Sequence, residues 1–222
     1  MKSCKDFRAE GREILGNTLF QKRWLFPLIA CAIITGISTV ATEFFLLSFI
    51  ITGALGVGLS TYFLKLVRER DGEEKNLRPL FVGFTNNFGR NLGVGLYLSI
   101  LNFIYIFLIV AMIVASIYLW VLVFILPLPI YGLIRVNLKY AMVYYIIADN
   151  PEYGVWQSLR ESAIMMRGYK LKYFRLQFSF IGWIILCSFT FGVGSLWLTP
   201  YMHATYTVFY EQLKQENEYY VL

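Results

Sequence analysis

The chain alternates between long stretches without charge and short stretches dense in Lys and Arg. Uninterrupted apolar segments occupy 24–42, 44–64, 92–134 and 176–202. A helix that crosses a bilayer needs about 20 residues. Segment 92–134 has 43 residues; as one helix it would be roughly 65 Å long, about twice the hydrocarbon core. It must turn, and the turn is predicted near 114–119. The region from Phe174 to Leu213 is again two helices long. Gly192-Val-Gly194 offers the break there, with Thr199 as N-cap and Pro200 at the first helical position. Glu43 divides the first two segments. The pattern predicts an all-α, polytopic transmembrane helical protein, with six spans arranged as three hairpins over 24–64, 91–148 and 174–213.

Between the hairpins lie segments 1–23, 65–90 and 149–173, and a tail over 214–222. They read as helical. Ser3 and Asp6 have capping-box spacing, and Gly16 can end the helix. Asn150-Pro151 is a helix start and Gly168 its stop. Within that helix Trp156, Leu159, Ala163 and Met166 recur at helical spacing, with Arg160 and Arg167 mostly elsewhere on the wheel. Such a helix lies in the headgroup plane with its apolar face down, or packs on the ends of the spans. A weak repeat runs through these pieces. Arg8 precedes Gly16 by the interval that separates Arg160 from Gly168, and Gly56-Val-Gly58 recurs as Gly192-Val-Gly194.

Composition strengthens the membrane reading. Hydrophobic residues make up 58% of the 222 and charged residues 15%, against roughly 25% charged in a soluble domain. The 16 Tyr and 5 Trp are residues that settle at membrane interfaces. Cys4, Cys31 and Cys187 are far apart and form no Cys-x-x-Cys pair, which argues against a disulfide framework or zinc site. Cys4 could carry an acyl group. The first apolar run lacks a clear cleavage site and reads as a span, with no cleavable signal peptide.

Charge sets the orientation. Segments 1–23, 65–90 and 149–175 hold six, six and five Lys/Arg, 17 of the 20. The positive-inside rule puts all three, and both termini, in the cytoplasm. The net charge is +6, and the basic residues are concentrated in these short segments, which favours anionic lipid over nucleic acid as a partner.

Several motifs resemble a known family. Phe81-Val-Gly-Phe84, Leu119-Trp120, Asp149-Asn-Pro151, Met165-Met-Arg-Gly-Tyr-Lys170, Ser179-Phe-Ile-Gly-Trp183, Thr199-Pro-Tyr201 and Phe209-Tyr210 occur in order. The chain resembles the bacterial membrane-protein family called domain of unknown function 975 (DUF975), over nearly its whole length and most strongly from 140 to 210. It departs at Leu126-Pro-Leu-Pro129, where the family more often has Pro followed by Gly. The resemblance implies a polytopic protein of the bacterial cell membrane and no particular catalytic residue.

Polar residues inside spans are the default functional candidates. Arg135 and Lys139, spaced i, i+4, sit near the cytoplasmic end of the fourth span. They either anchor the helix by snorkelling or grip an anion such as a lipid phosphate. Arg160, Arg167, Lys170 and Lys172 extend the same basic face. Asn102 is expected to hydrogen-bond a neighbouring helix. His203, the single histidine, is a relay candidate or an interfacial hydrogen-bonding residue. Gly89-Arg-Asn-Leu-Gly93 is a weak dimer motif, since it contains Arg at a helix start. Catalytic, cofactor and metal motifs are absent from the sequence. The expected role is non-enzymatic: binding of anionic membrane lipids, a protein partner or a second copy at the inner leaflet. A small transporter is the alternative.

Overall fold

The computed structural model describes residues 2–16, 22–43, 45–69, 77–190 and 192–221. These form helices and turns, with no strand among the described residues. Helix α1 (Cys4–Leu15) leads to α2 (Lys22–Glu43) and α3 (Phe45–Arg68). A 3-10 turn at Arg78–Phe81 and the short α4 (Val82–Thr85) precede α5 (Phe88–Ser116). Then come α6 (Pro127–Lys139), α7 (Val143–Asp149), α8 (Val155–Met165), α9 (Lys170–Phe178), α10 (Ile181–Phe189) and α11 (Ser195–Val221). Helix α2 packs on α3, α5 on α6, and α10 on α11.

The start of α1 follows the sequence directly. The Ser3 hydroxyl accepts from the Asp6 amide at 3.3 Å, and the Asp6 carboxylate accepts from the Ser3 amide at 2.8 Å. Those bonds hold the Asp6 carboxyl below its ordinary pKa. Gly16 ends the helix at φ 98°, and Gly168, beyond α8, has φ 80°. The two glycines paired by the sequence repeat thus both have a positive φ, which disfavours other residues. The other pair does not correspond: Gly56 and Gly58 lie inside α3, whereas Gly192 and Gly194 form the turn before α11.

Helix α3 sits at the centre, against α2, α4, α5, α7 and α11. Its glycines allow backbone-to-backbone approach. A Cβ on Gly58 would fall 1.9 Å from the Leu80 carbonyl oxygen, and one on Gly53 would fall 2.1 Å from that of Asn91. Across the same seam, a Cβ on Gly83 would fall 1.9 Å from the Ala54 carbonyl oxygen. Asn91, fully buried, donates to the carbonyls of Gly83 at 2.8 Å and Asn86 at 2.9 Å, satisfying groups that this tight approach removes from water.

Helix α1 buries Phe7, Gly11 and Leu15 and packs chiefly against α11. It is therefore a core element of the fold. Phe7 meets the ring of Phe209 at 5.1 Å. The opposite holds for α5, α6 and α10. None of the residues of α10 is buried, and the most apolar 18-residue window of α5 is 0% buried. Large apolar side chains from Leu96 to Ile134 and from Ile181 to Leu196 lie on the surface.

Of the six predicted spans, α5 is the helix among the described residues that is both long and apolar enough to cross a membrane. It has 29 residues, about 44 Å at 1.5 Å per residue. It ends at Ser116, inside the window predicted for the turn, and a 3-10 turn at Trp120–Phe124 leads to α6. The chain does break at Leu126-Pro127, where Pro127 opens α6.

Several boundaries differ from the sequence reading. The fourth predicted span is interrupted at Tyr140–Met142, and the fifth at Ser179–Phe180. Thr199 is not the N-cap of the last helix. Helix α11 begins at Ser195, immediately after Gly192 turns the chain at φ 84°, and Pro200 lies inside it. Thr199 instead donates to the Ser195 carbonyl at 2.8 Å. Pro151 does not start α8. Its carbonyl is engaged by Asn87 at 3.1 Å and by Arg90, which holds it in a turn, and the helix opens at Val155. The expected stripe on α8 is only partly buried. Leu159 and Met166 are inside, but Trp156 is 72% exposed and leans edge-on against Tyr97 at 5.4 Å.

Candidate anion-binding site

Helices α5, α6 and the start of α9 enclose an open cavity of about 660 Å³. Arg135 and Lys139 enter it from α6, and Lys170 from the first residue of α9. No carboxylate lines it among the described residues. The wall at the other end is apolar, made by Leu108, Leu128 and Pro129. Leu128 and Lys139 are 11 positions apart on one helix, about 16 Å at 1.5 Å per residue. The cavity therefore runs from an apolar end to a cationic end.

Local chemistry orients the cations. The Arg135 guanidinium lies 5.5 Å from the centre of the Tyr131 ring, and the Lys139 ammonium 4.8 Å from that of Tyr140. Ring faces attract cations without neutralising them. Gly132 lets α5 come close, since a Cβ there would fall 2.6 Å from Tyr105 Cε1.

The structure brings together three of the six predicted basic candidates. Arg160 and Arg167 are exposed and Lys172 half-buried, and none of them lines this cavity. Asn102 does bond a neighbouring helix: its Oδ1 accepts from Asn137 Nδ2 at 2.9 Å, while its own amide donates to the Leu98 carbonyl at 2.8 Å. Asn137, on α6 between Arg135 and Lys139, was not singled out in the sequence. His203 stacks on Phe63 with ring centres 5.4 Å apart. Gly89 has open space around it, and Gly93 faces Val155.

A second charged cluster escaped the sequence reading. The Asp149 carboxylate ends α7 and is 7% exposed. It accepts from Arg68 Nη1 at 2.7 Å, Lys214 Nζ at 2.6 Å and Tyr210 Oη at 3.2 Å. Arg68 also binds Glu211 at 2.8 Å. Burial pushes the Asp149 carboxyl up, but the bonds from Arg68 and Lys214 outweigh that and bring its pKa down to about 2. In return the Asp149 carboxylate, with Glu211, raises Arg68 above its ordinary pKa. A signal was available in the sequence: no Asp or Glu occurs between Glu74 and Asp149. A lone acid ending so long an apolar region needs a cation. Every charge in this cluster is matched, so it holds α3, α7 and α11 together and leaves no open valence for a ligand.

Compared with known proteins, the chain matches the family described as "Protein of unknown function (DUF975)" over residues 1–217. No curated protein and no solved structure matches it.

Proposed function

The chain belongs to the DUF975 family, and we propose that it is a non-enzymatic, multi-pass membrane protein that binds anionic phospholipid at the inner leaflet. The cavity of Arg135, Lys139 and Lys170 is the binding site. One observation carries the reading: three cations, with no carboxylate among the described residues beside them, close one end of a cavity whose other end is apolar. That polarity matches a phospholipid, with phosphate at the cations and chain along Leu108 and Leu128. A free phosphate would have no use for the apolar half.

The surface supports the membrane setting. Soluble monomers rarely expose apolar patches beyond a few hundred Å², whereas apolar side chains of α5, α6 and α10 lie outward in series. In this reading the three hairpins provide six spans, with the interruptions near Tyr140 and Ser179 inside or beside the bilayer. Both termini and the basic segments face the cytoplasm, where anionic lipid contributes about 1 kcal/mol per nearby Lys or Arg.

The test is lipid analysis of the purified protein by native mass spectrometry. Arg135→Gln, Lys139→Gln and Lys170→Gln together are expected to remove bound phosphatidylglycerol while leaving the protein folded. Arg135→Lys separates the two roles of that residue. If Arg135 grips phosphate with its fork, Lys weakens binding; if it only snorkels, Lys serves as well. Full retention of phosphatidylglycerol in the triple variant refutes the reading.

Transport is the second reading, and one observation favours it. The chain has breaks at Tyr140–Met142 and Ser179–Phe180, and the Arg8 guanidinium donates to the freed Ser179 carbonyl at 3.3 Å. Interrupted helices often form solute sites. Water access to single cysteines around Asn102 and Asn137 from both sides would replace the lipid reading with this one.

A further inference from the structure

We propose that the cleft between α1, α2, α10 and α11 binds an acidic single-chain amphiphile, with its apolar chain along a tryptophan wall and its carboxylate on Arg12. The cleft is separate from the cavity of Arg135, and the inference shares with the phospholipid reading only the membrane setting.

The cleft has a volume of about 460 Å³. At roughly 30 Å³ per water-sized group it holds about fifteen such groups, enough for one chain. Trp24, Trp183 and Trp197 line it together with Leu186 and Leu198. Trp24 is 4% exposed, and its indole N–H donates to the Gly16 carbonyl at 3.0 Å. That bond removes the polar edge from the cleft and leaves the ring as a fixed wall. The cleft exists because α10 and α11 are tight only at their shared turn. There a Cβ on Gly194 would lie 2.8 Å from Cys187 Sγ. Below the turn α10 buries nothing, so Trp183 and Leu186 face the cleft instead of a partner helix.

Arg12 is the one charged residue in the lining among the described residues. Its guanidinium lies 5.7 Å from the centre of the Tyr201 ring, and no carboxylate pairs with it among the described residues. Arg8, one turn earlier, lies 5.9 Å from the centre of the Phe180 ring, and its buried Nε has no partner. Phe180 and Tyr201 touch edge-on at 5.4 Å, so both guanidiniums flank one aromatic pair. Two like charges spaced i, i+4 repel. An acid group at the mouth of the cleft relieves that repulsion and gains charge-assisted hydrogen bonds. The apolar wall and the unpaired guanidinium together define the ligand as a chain with an acidic head.

The test is photo-crosslinking of the purified full-length protein. Three probes carry a diazirine at the end of an apolar chain: a long-chain fatty acid, the matching alcohol and a phosphatidylglycerol. The fatty acid is expected to label the stretch 183–198. Arg12→Gln lowers that labelling about tenfold, the loss expected on removing one charge-assisted hydrogen bond, and leaves labelling by the alcohol unchanged. Leu186→Trp, which fills the cleft, blocks both. Arg135→Gln with Lys139→Gln changes neither, so the two sites fail separately. Unaltered melting temperatures establish that the variants are folded. Equal labelling by acid and alcohol in the parent protein, labelling outside 183–198, or preferential labelling by phosphatidylglycerol overturns the proposal.

Discussion

Asp149 and Arg68 meet at 2.7 Å, joining the last residue of α7 to the last residue of α3. Lys214 approaches the other carboxylate oxygen at 2.6 Å, so one acid ties three helices that are far apart in sequence. Removing one partner of a fully buried pair costs about 3–5 kcal/mol. Here Arg68 and Lys214 are 41% and 35% exposed, and solvent screens them. Asp149→Asn is therefore expected to cost about 1–2 kcal/mol, read as a thermal shift of several degrees in detergent.

The same acid predicts a pH dependence. Its folded pKa, about 2, lies below the ordinary 3.8. A depressed carboxyl contributes stability that is fully present above the ordinary value and is lost as pH falls through the folded value. Melting temperature should decline between pH 5 and pH 2, and Asp149→Asn should flatten that decline. An identical slope in the variant excludes Asp149 as its source.

The glycines of the α3 seam predict a sharp contrast. Gly58→Ala and Gly83→Ala place a methyl 1.9 Å from a backbone oxygen that cannot swing aside. Each should cost several kcal/mol or prevent folding. Gly89→Ala meets nothing within 4 Å and should change stability by no more than about 1 kcal/mol. Comparable melting temperatures for Gly58→Ala and Gly89→Ala would contradict the packing described.

Gly11 makes an equivalent test for α1. A Cβ there would sit 2.5 Å from Thr205 Oγ1 and 3.1 Å from the Thr205 backbone. Gly11→Leu should lift α1 off α11 and expose Arg8 and Arg12 to trypsin. Gly11→Leu with Thr205→Ala should recover part of the protection. Unchanged proteolysis in the single variant rules out the contact.

Asn102 and Asn137 predict a small coupling between α5 and α6. Interhelical hydrogen bonds in membrane proteins average about 0.6 kcal/mol in double-mutant cycles. Replacing each by Leu, singly and together, should give a coupling of that order in a thermal or denaturant series. Zero coupling would mean the 2.9 Å bond contributes nothing.

Local signals in the sequence held up better than global ones. Ser3 with Asp6, and Gly16 as a stop, depend on neighbours in the chain, and the spacing alone specifies them. The turn after Ser116 follows from length, since 43 uncharged residues cannot make one span. Asn102 was readable as a cross-helix bond, but its partner was not, because a polar residue near a basic helix end looks solvated. Pro151 and Pro200 misled for a common reason. Proline is permitted at the first turn of a helix without being required there, and tertiary bonds to the Pro151 carbonyl, or a glycine turn before Ser195, set the boundary instead. Two of the three cations of the cavity were foreseeable as a pair from Arg135 and Lys139 on one helix. Lys170 joins them through the packing of α9 on α6, which no spacing encodes.

The docking of α1 on α11 also sets a timetable. Gly11 and Thr205 are separated by 194 positions. At about 5–20 residues per second, the ribosome needs roughly 10–40 s to cover that distance. Throughout that interval Phe7 and Leu15 have no α11 to cover them. The newborn N-terminal helix must shelter on a bilayer surface or an assembly factor until the last helix arrives. Docking of α1 is thus deferred until α11 has been made, and a ribosome stalled before α11 would release a chain whose α1 has nowhere to dock.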